Sequence, residues 1–138
     1  MPKPYHGGCL CGAVRYEIDA EPVLAGYCQC RDCQRESGGG HTCVIGFPIA
    51  SVTVTGTLRF YEMISDSGRA IRRGFCPVCG SPVLGAPDEA FGLSMIRAGS
   101  LDDPGLFQPQ LICYASRAQP WDLLDPALPR FAELPPDE

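Results

Sequence analysis

The chain has 138 residues, 45% of them apolar and 20% charged, a size and balance that suit one globular domain and exclude wholesale disorder. A formal charge of −5 and a sequence pI near 4.9 argue against nucleic acid or an anionic membrane as partner, since either needs a basic face. Nine cysteines, an odd number, exclude a framework that pairs every thiol within the chain. The opening Met1-Pro2-Lys3-Pro4-Tyr5-His6 has no secretory pattern, and the uncharged stretch 37–58 is too broken by Gly, Ser, Thr and Pro48 to span a membrane. The expectation is a cytoplasmic protein whose cysteines hold metal.

In chain order, residues 13–19 alternate, with Val14, Tyr16 and Ile18 on one face and Arg15, Glu17 and Asp19 on the other. The one short helix expected is 31–37, stopped by Gly38-Gly39-Gly40. Further strands are expected at 43–47, 51–55, 58–62, 70–75, 93–98 and 111–115, with Gly56 turning the chain between the second and third of these. Prolines 120, 126, 129, 135 and 136 mark a tail over 119–138, in which Trp121, Leu123, Leu124, Leu128 and Phe131 predict packing back onto the body. Short strands and Gly/Pro turns define an all-β, or β-rich, single domain over 1–138 with its core at about 5–131.

Seven cysteines fall into three groups: Cys9-x-Cys11, Cys28-x-Cys30-x-x-Cys33 and Cys76-x-x-Cys79. Thiolates this close together both reach a tetrahedral Zn²⁺ at about 2.3 Å, so each pair is half a site. Cys9, Cys11, Cys76 and Cys79 would close a structural Cys₄ site. Cys28, Cys30 and Cys33 would then hold a second zinc with one open position, the arrangement of catalytic zinc. Spacing alone leaves other partitions of the seven open, and Cys76-Pro77-Val78-Cys79 also has the form of a redox pair. Cys43 and Cys113, within apolar runs, read as inert buried thiols. His41 and His6 read as loop or surface histidines, with a fourth ligand or a general base as the sharper alternative.

Gly7-Gly8-Cys9-Leu10-Cys11-Gly12-Ala13-Val14-Arg15-Tyr16 resembles the opening of the glutathione-dependent formaldehyde-activating enzyme family, whose domain also occurs in centromere protein V. The resemblance continues through residues 28–38, 75–81 and 99–104 to Pro120-Trp121, with all seven cysteines in family order. It implies a β-tent-like zinc-binding fold of small antiparallel sheets. It also implies the partition above: a structural zinc on Cys9, Cys11, Cys76 and Cys79, and a labile catalytic one on Cys28, Cys30 and Cys33. The implied reaction is that of a carbon–sulfur lyase, joining glutathione and formaldehyde as S-(hydroxymethyl)glutathione. Where many members carry a His-Ile-aromatic strand before the tryptophan, this chain has Ile112-Cys113-Tyr114 and lacks the histidine.

Glutathione carries two carboxylates, which the planar guanidinium fork suits, and Arg31 and Arg35 lie beside the cysteines of the second group. Asp32, Glu36 and His41 are the nearby candidates for moving a proton. The competing reading is a non-catalytic zinc module for a protein partner or for zinc buffering, with Cys43 or His41 saturating the second site. A nucleic-acid-binding ribbon is disfavoured. Two Zn²⁺ and seven thiolates would take the formal charge from −5 to −8, against a basic stripe of only Arg69, Arg72 and Arg73.

Overall fold

A computed structural model describes residues 3–65, 68–87 and 92–135. It is strand-rich, with ten strands and one short α-helix among the described residues. β1 (Tyr5–Gly8), β2 (Arg15–Ile18) and β5 (Val52–Thr55) form a three-stranded antiparallel sheet in the order β1-β2-β5. The second sheet has seven strands in the order β10-β3-β4-β9-β8-β7-β6. Its members are β3 (Leu24–Cys28), β4 (Thr42–Pro48), β6 (Arg59–Ile64), β7 (Ala70–Phe75), β8 (Pro82–Pro87), β9 (Leu93–Arg97) and β10 (Leu111–Cys113). All its pairings are antiparallel except β10 against β3, which is parallel.

The alternation at 13–19 settles the first sheet: Val14, Tyr16 and Ile18 are buried, while Arg15 and Glu17 face outward. The core lies between the two sheets, where Tyr5, Val14, Tyr16 and Ile18 meet Ile45, Phe47, Val83, Leu84 and Ile96. Gly56, at φ +92, does turn the chain after β5, but β5 and β6 do not pair: β5 joins β2, and β6 joins β7 in the other sheet. β3 and β8 carried no clear strand signal, because Gly26 interrupts one, and Pro82, Gly85 and Pro87 the other. Pairing on both sides of each supplies the order that local propensity does not.

The seven-stranded sheet is two-faced. On β4, Ile45 and Phe47 enter the core while Thr42 and Val44 face the other way. Registered partners share a face, so Val44 with Arg97, and Met95 with Gly85 and then Arg73, continue that second face across the sheet. Helix α1 (Arg31–Ser37) packs against β4. Gly38, in the left-handed conformation (φ 76, ψ 5), ends it and donates its N–H to Gln34 O.

The tail does pack back by its backbone: Ile112 N–H donates to Pro129 O, Phe131 N–H to Ile112 O and Ala115 N–H to Phe131 O. Its large side chains do not all follow, since Trp121 is 66% and Leu123 87% exposed. No helix among the described residues is long and apolar enough to cross a membrane.

Candidate metal centres

The sulfurs of Cys9, Cys11, Cys76 and Cys79 lie within 4.8 Å of one another. Cys11 Sγ is 3.7 Å from Cys9 Sγ and 3.8 Å from Cys76 Sγ. A tetrahedron with metal–sulfur bonds of about 2.3 Å has edges of about 3.8 Å, so the four thiols fit Zn²⁺. Two turns shape the cluster. Cys9 N–H donates to Val14 O at 3.0 Å across the turn at Gly12, and Gly80, at φ +77, closes the turn from Cys76 by donating to its carbonyl. Backbone N–H groups reach the sulfurs as well: Val14 donates to Cys9, and Val78 and Cys79 donate to Cys76. The Ser81 hydroxyl, 3.2 Å away, holds the Cys79 thiol well below its usual range, at about 5. The turn over 76–80 shows no helix N-terminus of the kind that activates a redox dithiol. Cys9 and Cys76 belong to the main core, so this centre ties the first sheet directly to the second.

The sulfurs of Cys28, Cys30 and Cys33 also lie within 4.8 Å of one another, at the second face of the large sheet. Cys28 ends β3 opposite Thr42, Cys30 is the N-cap of α1, and Cys33 lies in its first turn. Cys30 Sγ accepts from Cys33 N at 3.3 Å, so the same hydrogen bond starts the helix and fixes two thiols. With Tyr114 these thiols form a small cluster apart from the main core. Cys33 is the thiol held lowest, because the neighbouring Cys28 and Cys30 thiols, the Thr42 hydroxyl and the nearby Arg73 charge all favour its charged form. Both Arg73 terminal nitrogens are 3.9 Å from Cys33 Sγ. Three thiols, one electropositive neighbour and an adjacent hydroxyl suit a thiophilic metal such as Zn²⁺.

These thiols open onto a cleft with about 860 Å³ of empty space, counted out to its open mouth. Val44, Ile71, Met95 and Leu134 make its apolar walls, and Arg69, Arg73 and Arg97 bring positive charge. Glu36 organises the last two. It receives Arg97 Nε at 2.7 Å and Nη2 at 2.9 Å, and it pairs with Arg73 Nη1 at 3.1 Å; all three side chains are nearly buried. Gly85 makes the room, because a Cβ there would sit 3.2 Å from the Arg97 guanidinium.

Arg31 and Arg35 stand elsewhere. Both are exposed on α1 and neither lines this cleft; Arg31 hydrogen-bonds Gln34 Oε1, and Arg35 borders a neighbouring groove that shares Asp32 and Arg73 with the cleft. The cleft arginines come instead from β7, β9 and the turn before β7. Period-2 alternation along β7 was the available signal: Arg73 points into the cleft, while Arg72 stacks over the Phe60 ring at 3.9 Å, so Arg69, Arg72 and Arg73 form no single stripe.

Of the proton-carrying candidates, Asp32 lines the cleft and Glu36 is held between two arginines. His41 projects on the core side of β4, where Asp122 accepts from its Nδ1 at 2.9 Å and Tyr27 meets its ring edge-on. Gly40 permits that contact, since a Cβ there would meet Asp122 Cγ at 2.3 Å. His6 pairs with Glu17 on the surface. Cys43 shares the core side of β4. Cys113 is half-buried and lines the cleft beside Cys28.

Fold and thiol geometry together define a β-rich protein built around two cysteine clusters suited to zinc. The family model described as glutathione-dependent formaldehyde-activating enzyme matches residues 4–117, and the chain belongs to that family. Among solved structures it is similar to a protein of Rhodobacter sphaeroides, with a TM-score of 0.59 and 16% identity over 91% of this chain and 98% of that one, a likeness of fold. No curated protein matches the sequence.

Proposed function

We propose that the protein is a zinc-dependent carbon–sulfur lyase-like enzyme that adds glutathione, or a similar thiol, to formaldehyde or another small aldehyde. The observation that carries this reading is a three-thiol cluster, Cys28, Cys30 and Cys33, at the floor of an apolar, arginine-bearing cleft. Zinc held by those thiols would supply a Lewis acid that keeps a bound thiol deprotonated near neutral pH. The closed four-thiol cluster would hold the structural zinc.

The chain's own groups provide the rest. Arg73 offsets thiolate charge at Cys33, and Glu36 fixes its guanidinium. Val44, Ile71, Met95 and Leu134 exclude water around the forming carbon–sulfur bond. Arg69 on the cleft wall, with Arg31 and Arg35 on the exposed side of α1, are the cations proposed for glutathione's carboxylates. The thiol sulfur attacks the carbonyl carbon, the carbonyl oxygen takes a proton, and a hydroxymethyl thioether results.

Calorimetric titration of glutathione into the zinc-loaded protein, with a non-coordinating reductant, tests this. Saturable binding that is lost in Cys30→Ser supports the reading. Absence of binding up to about millimolar glutathione, an affinity of only about 4 kcal/mol, sinks it in favour of a non-catalytic zinc module.

A further inference from the structure

Cys113 stands one strand away from the three-thiol cluster. β10 runs parallel to β3 with Cys113 in register with Cys28, and Gln29 N–H donates to Cys113 O at 3.0 Å, which fixes that register. Both side chains line the same cleft and pack against Cys30, Cys33 and Tyr114. Cys113 is the fourth and last cysteine of that cleft among the described residues. Its S–H donates to Tyr27 O at 3.5 Å and it packs in the same cluster as Cys28, but it lies outside the trio whose sulfurs are all mutually within 4.8 Å.

The backbone next to it is unusual. Tyr114, bulky and buried, is the one non-glycine residue with positive φ among those described (φ 55, ψ 36). Such a conformation persists only where surrounding contacts hold it, and it gathers at functional sites. Here the tail supplies those contacts, through Tyr114 N–H to Glu133 O at 3.0 Å and Ala115 N–H to Phe131 O at 2.9 Å.

We propose that Cys113 is the fourth and displaceable ligand of the second metal centre. A tetrahedral zinc on three protein thiols has one position left, and Cys113 is the thiol placed beside it. Of the donors that the sequence offers for that position, His41 and Cys43 lie on the other face of β4, and His6 is paired with Glu17 on the surface. A thiol entering the cleft then replaces Cys113 in a balanced exchange. Its sulfur takes Cys113's place and its proton passes to the Cys113 thiolate, so the centre keeps four thiolates and an unchanged net charge, and no oxidant is needed. The released Cys113 S–H has its acceptor ready in Tyr27 O. The exchange rests on the thiol–aldehyde reading above; the coordination does not.

Cobalt(II) tests both parts, because sulfur-to-cobalt charge-transfer intensity scales with the number of thiolates. The protein is loaded with zinc and then with cobalt(II), and a weakened band in Cys33→Ser assigns it to this centre. The wild type is expected to show the four-thiolate intensity. Cys113→Ser should lose about a quarter of it and regain it with excess glutathione, the fourth position then being filled from solution. Three-thiolate intensity in the wild type, or no change in Cys113→Ser or Cys113→Ala, overturns the coordination. The wild-type intensity reads the count even where a variant folds poorly. A glutathione-silent spectrum in Cys113→Ser, together with no calorimetric binding to the wild type, overturns the exchange while leaving Cys113 as a ligand.

Discussion

Arg73 touches the second centre without being one of its thiols, and its two terminal nitrogens at 3.9 Å from Cys33 Sγ set what a substitution there would do. Its charge is held more firmly than usual despite burial, because the Cys33 thiol and Glu36 both face it. Arg73→Gln keeps much of the side-chain volume and leaves Glu36 paired with Arg97, so the fold should survive. What is lost is the cation that offsets the thiolates. The expected result is a drop of about 10- to 100-fold in zinc affinity at the second centre, read by competition with a chromophoric chelator, with the first centre unaffected. Equal weakening of both centres would mean that Arg73 acts through the fold instead.

Strand β4 shows how one element serves both fold and site. Its odd positions Ile45 and Phe47 are 1% and 0% exposed in the core, and its even positions Thr42 and Val44 line the cleft. The two faces should therefore separate in mutagenesis. Phe47→Ala opens a cavity beside Tyr5 and should cost about 3–5 kcal/mol in denaturant unfolding, with zinc stoichiometry unchanged in the folded protein. A cost below about 1 kcal/mol would show that the core between the sheets is not what holds them. Helix α1 makes the same point on a smaller scale, because its N-cap sulfur is also one of the cleft thiols.

Across the whole molecule the two clusters differ in what they join. Cys9 and Cys76 are buried in the main core, so the first centre links residues far apart in sequence and in different sheets. The second sits in a satellite cluster beside the cleft. A closed thiolate zinc site contributes roughly 10 kcal/mol or more of binding free energy, against total stabilities of about 5–15 kcal/mol. Cys76→Ser should therefore abolish cooperative thermal unfolding, as should a strong chelator. Cys30→Ser should keep a cooperative transition while binding one zinc fewer. If Cys30→Ser unfolds and Cys76→Ser does not, the structural and cleft roles are reversed.

The sequence by itself determined the strands whose alternation is strong, helix α1 with its glycine stop, and the grouping of seven cysteines into local clusters. These are short-range properties, since a residue's neighbours one to four positions away fix its face, its cap or its reach to a shared metal. Only the tertiary structure decided that β3 and β8 are strands and that β10 lies parallel to β3. It also decided that Arg73 and Arg97, rather than Arg31 and Arg35, line the cleft, and that Cys113 stands beside Cys28. Those outcomes depend on which distant strands pair and which face of a two-sided sheet the chain covers. Neither leaves a local mark when both faces are buried, one by a core and the other by a site.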